Sequence, residues 1–265
     1  MREIHKRVLA GLCLAPPIVA IFYFLPQGWF FIFLALVSVI AATELVRMSN
    51  IKGKYLILLL IAASLFPLYR QSPHAFIIWL LFSPAIYLVA VCRRMKGEGE
   101  KVNGDIMTAV NTLFLGQVCI VLPLFYFYLL KGLSGSFPLI LLFAIWASDT
   151  GAYVLGKNFG KRPLVPAISP KKTYEGLAGA IGGSMIIILL SHKALGIGAV
   201  EAMILGGAIG MLGQVGDIFE SIWKRVSNVK DSSSLIPGHG GILDRIDSFI
   251  FTAPLLYHYL AGMKI

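Results

Sequence analysis

Apolar residues in this chain come in solid runs of about 20, separated by short segments that hold most of the charge. A run of that length crosses a bilayer as an α-helix, whereas a membrane β-barrel would alternate apolar and polar residues over roughly ten-residue strands. The runs predict spans near residues 8–25, 28–46, 55–70, 75–92, 108–130, 137–156, 176–191, 197–215 and 242–261. The expected fold is all-α, a polytopic integral membrane protein of about nine transmembrane helices.

Composition agrees with the pattern. The chain has 265 residues, 57% of them hydrophobic and 14% charged, against about 25% charged in an ordinary soluble domain. Mean hydropathy is +0.81. The net charge of +10 would suggest nucleic acid in a soluble protein, but here the cations cluster at span ends. Topology and anionic lipid account for them, and nucleic acid is not an expected partner. With the N-terminus in the cytoplasm, 18 of the 23 Lys and Arg fall in cytoplasmic segments. Arg70, Lys131, Lys193 and Lys264 lie outside, and Arg245 sits at a helix start. The odd number of spans leaves the C-terminus outside. The start MREIHKRVLAGLC is basic and then apolar, with no A-x-A site after it, so it reads as a retained first span rather than a cleaved signal.

The polar residues divide the chain in two. Spans before residue 137 are nearly free of acids, Glu44 excepted, and residues 1–136 read as a transmembrane scaffold. Residues 137–265 carry polar side chains and glycines inside spans and have longer cytoplasmic loops, which marks them as the catalytic region. Asp149 and Asp217 fall toward the cytoplasmic ends of their spans, and Asp244 and Asp247 open the last one. Ionisable residues at membrane depth are functional candidates.

In GDIFESIWKR, residues Asp217, Glu220, Ser221 and Lys224 share one helical face, consistent either with an amphipathic interfacial helix or with a site. In GHGGILDRIDS, Asp244 and Asp247 lie about one turn apart. Carboxylates that close repel unless a cation sits between them, although one of them could simply cap a helix start. A few carboxylates completed by water and phosphate describe a Mg2+ site on a nucleotide. Gly238, Gly240 and Gly241 could turn bare N–H groups toward a phosphate, or form an ordinary tight turn. The loop GKNFGKRPLVPAISPKKTYEG adds Lys171 and Lys172, with Ser169-Pro170 expected to start a helical turn.

Several of these stretches match a known pattern. SIWKR (Ser221–Arg225), Lys230-Asp231 and HGGILDRID (His239–Asp247) resemble the signature of the CDP-diacylglycerol synthases, also called phosphatidate cytidylyltransferases. SDTGAYVLGKNFGK (Ser148–Lys161) and SPKKTYEG (Ser169–Gly176) are similar to the same family. The resemblance covers roughly residues 137–265 and shows no departure in the signature residues.

The resemblance implies an enzyme that makes CDP-diacylglycerol and pyrophosphate from CTP and phosphatidic acid with Mg2+, at the inner membrane if the chain is bacterial. Asp217, Asp244 and Asp247 are then expected to hold metal, with room for a second cation such as K+. Lys224, Arg225 and Arg245 are expected on phosphates, with Lys171 and Lys172 at the cytoplasmic entrance and Lys230 among the substrate-binding residues. Ser221, His239, Gly240 and Gly241 complete the substrate contacts, and Asp149, Glu220 and Asp231 support them. Membrane lipids are obligate company, and a homodimer is among the arrangements the small-residue spans GLAGAIGGS and GGAIGMLG allow. Three other readings are weighed. A CTP-dependent polyprenol kinase would release CDP, a CDP-alcohol phosphotransferase lacks its acid-rich pattern here, and an ion-coupled transporter would show inverted repeats.

Overall fold

The computed structural model describes residues 15–49, 51, 53–94, 101–233, 235 and 240–263. The basic start of the chain and His239 lie outside the described residues. The described chain is almost wholly helical: α1 (Ala15–Phe24), α2 (Gln27–Met48), α3 (Lys54–Ala63), α4 (Leu65–Tyr69), α5 (Pro73–Arg94), α6 (Lys101–Leu115), a π-helical turn Gly116–Val121, α7 (Leu122–Leu133) and α8 (Phe137–Phe159). A two-stranded hairpin follows, β1 (Pro163–Val165) and β2 (Ser169–Thr173), then α9 (Tyr174–Leu190), α10 (His192–Leu195), α11 (Ala199–Val226), α12 (Leu243–Ile246) and α13 (Phe249–Gly262).

Among the described residues five helices are long and apolar enough to cross a membrane: Gln27–Met48, Pro73–Cys92, Ile106–Leu133, Phe137–Phe159 and Ala199–Val226. Shorter apolar helices stand at the remaining predicted spans. The protein is a polytopic helical membrane protein. Its large exposed apolar side chains, such as Leu81 and Phe82 on α5, suit a lipid-facing surface.

Three local departures from the sequence reading matter for the site. First, SPKKT is a strand, not a helical turn: β2 pairs antiparallel with β1, and the helix starts only at Tyr174. Thr173 is the cap, its Oγ1 accepting the Gly176 N–H at 3.1 Å. Second, α11 is one helix of 28 residues that runs past residue 215 to Val226. At 1.5 Å per residue it is about 42 Å long, more than the hydrocarbon core requires, so its last turns carry Asp217 to Lys224 beyond the apolar part. Third, the last predicted span breaks near its start. The Asp247 carboxylate accepts the N–H of the next residue, Ser248, at 2.7 Å, a local bond that competes with helix continuation. The long helix α13 begins at Phe249, with Asp247 and Ser248 still at helical dihedrals between it and α12.

Helices α8, α9 and α11 form the tight centre of the fold. Gly151 on α8 and Gly179 on α9 face each other so closely that a Cβ on either would overlap the carbonyl oxygen of the other. Dispersion and backbone contact of this kind, rather than a hydrophobic drive, hold helices together in lipid. Gly179→Val is expected to cost roughly 1–3 kcal/mol or more through overpacking. Gly182→Ala on the same helix, whose Cβ would meet open space, should leave thermal unfolding in detergent unchanged. The N-terminal helices join this centre through an aromatic chain. Phe127 of α7 meets Phe22 of α1 edge-on at 5.6 Å and Phe249 of α13 at 4.7 Å.

Candidate active site

The close approach of α8, α9 and α11 sets polar side chains from separate segments around one cavity of about 390 Å3. Asp149 comes from α8, Lys171 and Lys172 from β2, Asp217 and Lys224 from α11. Asp231, Asp244, Arg245 and Asp247 come from the segment joining α11 to α13. Most of the residues singled out in the sequence thus share one space.

The acids within it have distinct partners. Oxygens of Asp217, Glu220 and Asp247, one from each carboxylate, lie within 4.8 Å of one another. Asp217 is also paired with Lys172 at 2.7 Å and accepts a long hydrogen bond, 3.4 Å, from the Ser221 hydroxyl. Glu220 is fully buried and neither of its oxygens accepts a hydrogen bond with good geometry, its one described partner being the Lys224 ammonium at 2.5 Å. Asp247 is buried, with the carboxylates of Asp217 and Asp149 close enough to act on it as like charges. Three carboxylates gathered this closely, one of them buried with unused lone pairs, fit a hard cation.

Asp244 stands apart from this trio. Its Oδ1 accepts Lys224 Nζ at 2.8 Å, and its Oδ2 accepts the Ser232 hydroxyl at 2.9 Å and the Gly241 N–H at 2.8 Å. It lies between the long helices and is the counter-ion that fixes the ammonium. Lys224 thereby bridges Glu220 and Asp244. The Gly241 N–H is engaged by Asp244 rather than free for a phosphate, and Gly240 takes a left-handed conformation at φ +80°.

Other expected contacts fall outside the cavity wall. Arg225 donates to the Ile168 carbonyl at 3.2 Å and the Val229 carbonyl at 3.4 Å, so it ties the hairpin tip to the end of α11. Lys230 is exposed beside it. At the opposite end of α11, Glu201 accepts the Gly198 N–H at 2.9 Å. Glu201→Ala is expected to cost on the order of 1 kcal/mol of stability as a lost cap and to leave turnover unchanged in a steady-state assay. Sequence reasoning passed over Gln214 and Ser248, which line the cavity, and Ser232 and Glu44, which lie behind it. The one usable signal was Glu44 itself, an acid in an otherwise acid-free set of spans.

A second, mostly apolar cavity of about 590 Å3 adjoins the first. Its walls include Phe22, Leu34, Val37, Leu124, Phe127 and Trp146, and it ends on Asp149, Asp244, Arg245 and Asp247. Those four residues line both cavities.

Comparison with known proteins places this geometry in context. Residues 5–263 match the cytidylyltransferase family. The chain is 48% identical over 130 residues to a phosphatidate cytidylyltransferase of Synechocystis, covering 48% of this chain and 44% of that protein. It is 40% identical over 158 residues to the Bacillus subtilis protein of the same name, covering 57% and 58%. The corresponding Aquifex aeolicus protein is 41% identical over 152 residues, covering 56% and 57%. The matched stretch thus spans about half the length of these relatives.

Proposed function

The chain belongs to the cytidylyltransferase family, and from that premise we propose that it transfers CMP from CTP to phosphatidate, forming CDP-diacylglycerol and pyrophosphate. The observation that carries this reading is the pair of cavities. A nucleotide needs a polar, cation-lined space, a diacyl lipid needs an apolar one, and their phosphates must meet. Asp149, Asp244, Arg245 and Asp247 stand at the border of both spaces.

The residues suit the chemistry. A phosphate monoester is already mostly ionised at neutral pH, its second pKa being about 6. A phosphatidate oxygen therefore forms the new bond to the α-phosphorus without a strong base. The bond from that phosphorus to the bridging oxygen of the β-phosphate breaks, and its electron pair leaves with pyrophosphate. Rate enhancement then comes from positioning and charge neutralisation. Lys171, Lys172 and Arg245 bring positive charge to the cavity for the phosphates. Lys224, held by Glu220 and Asp244, presents a fixed ammonium at the same wall. Asp217, Glu220 and Asp247 would hold Mg2+, which when bound supplies Lewis-acid neutralisation of phosphate charge. The asymmetry of Lys and Arg supports a cytoplasmic site, where CTP is supplied, with the N-terminus on that side and the C-terminus outside.

Purified protein in detergent, given labelled CTP, phosphatidate and Mg2+, is expected to release pyrophosphate and form a CDP-lipid, and to stop when a chelator is added. Release of CDP with phosphorylation of a lipid alcohol would replace this reading with a lipid kinase. CTP-dependent transfer would also exclude ion-coupled transport as the main function, and absence of any CTP-dependent product would contradict the proposal.

A further inference from the structure

The carboxylate of Glu44 lies on α2, in the half of the chain that carries no other part of the polar site. It is buried at 3% exposure, and it accepts four hydrogen bonds from one segment nearly 200 positions away. Oε1 takes the Ser233 hydroxyl at 2.6 Å and the Ile242 N–H at 3.1 Å. Oε2 takes the Leu243 N–H at 2.8 Å and shares the single Ser232 hydroxyl proton, at 3.1 Å, with Asp244. Ser232, Ser233, Ile242 and Leu243 thus all meet a single side chain. Gly241 is what permits the closure, since a Cβ there would strike both Ser232 Oγ and Glu44 Oε2.

The segment so held is the one that carries Asp244. Ser232 Oγ lies between the two carboxylates, 3.1 Å from Glu44 and 2.9 Å from Asp244. Asp244 in turn accepts Lys224 Nζ. A continuous chain of polar contacts therefore runs from α2 through Ser232 and Asp244 to the cavity ammonium. Among the described residues Glu44 lines neither cavity, so it touches neither substrate space. A buried carboxylate at a helix end needs donors, and a helix pair can satisfy one with any local hydroxyl. Four donors from Ser232, Ser233, Ile242 and Leu243 exceed that need and hold those four residues against α2.

We propose that Glu44 is a positioning residue for CMP transfer: it holds Ser232, Ser233, Ile242 and Leu243 on α2 and so sets where Asp244 holds Lys224. The inference rests on the function proposed above and extends the catalytic machinery into the N-terminal helices. Glu44→Gln keeps volume but sets an NH2 against one backbone N–H, Ile242 or Leu243, that cannot accept from it, while the serine hydroxyl facing the same atom must turn from donor to acceptor. Misplacing a reacting constellation by about an ångström can cost on the order of 100-fold. Glu44→Gln is accordingly expected to lower kcat by about tenfold or more with the KM for CTP little changed, because Lys171, Lys172 and Arg245 remain.

The test is a cycle with Ser232→Ala, which cuts the link to Asp244 while leaving the two backbone bonds to Glu44. Each single variant is expected to lose kcat, and the double variant is expected to be no worse than the poorer single. Losses that multiply, or a folded Glu44→Gln protein with wild-type kcat, would overturn the proposal. Should Glu44→Gln fail to fold, Ser232→Ala decides alone, and wild-type kcat in it has the same meaning. Amide hydrogen exchange gives a readout independent of turnover. Ile242 and Leu243 are expected to exchange faster in Glu44→Gln than in wild type, and unchanged protection would count against the clamp. A wild-type protein with no CMP transfer would defeat the proposed function, while faster exchange in the variant would still support the clamp.

Discussion

Asp217→Asn and Asp247→Asn are each expected to lower CMP transfer by about 100- to 1000-fold, the range found when one preorganised charge-stabilising group is removed. Both side chains contribute to the carboxylate trio with Glu220. They differ in surroundings: Asp217 is about one-third exposed, and Asp247 is buried. Asparagine preserves shape but removes the charge that the proposed cation needs, so higher Mg2+ should restore part of the lost rate if metal affinity is what fell. Steady-state assays across a Mg2+ series measure this, with circular dichroism to verify the fold. Full activity in either variant would take that residue out of the metal set.

Lys224→Ala is expected to affect stability as well as rate. The ammonium is buried between Glu220 and Asp244, which are 0% and 7% exposed at their side chains. Its removal leaves two carboxylates without their cation, and breaking a buried pair costs about 3–5 kcal/mol. The thermal midpoint in detergent should drop, and transfer should fall with it. Lys224→Met combined with Glu220→Gln removes one of the two stranded carboxylates and should recover part of the stability, Asp244 still lacking its cation, without recovering activity. Recovery of both would mean that Lys224 serves the fold alone.

The spans were legible because membrane helices announce themselves by length and solid hydrophobicity. Placing Asp149, Asp217, Asp244 and Asp247 near one end of their spans was enough to gather them, and in the structure they line one cavity. What sequence could not supply was the division of labour among the acids. Asp244 and Asp247 look equivalent as neighbours on a helix, and only the fold shows that Lys224 reaches Asp244 while Asp247 meets Asp217 and Glu220. Glu220 read as support because it faces the same way as a surface Glu–Lys pair would. Burial at 0% exposure is a tertiary fact. The strand at Ser169–Thr173 was hidden because Ser-Pro opens turns and helices alike, and its partner Pro163–Val165 has no strand pattern of its own. The four donors to Glu44 come from another part of the chain, and no local spacing encodes them.

The claim on which the rest depends is that a divalent cation sits among Asp217, Glu220 and Asp247 where nucleotide and lipid phosphates meet. Anomalous diffraction from crystals of the protein grown with Mn2+ and CTP tests it most directly. The account predicts a manganese peak within coordinating distance of those three carboxylates, with the CTP phosphates against Lys171, Lys172 and Arg245. A peak elsewhere, with this trio empty while CTP is bound, would contradict it.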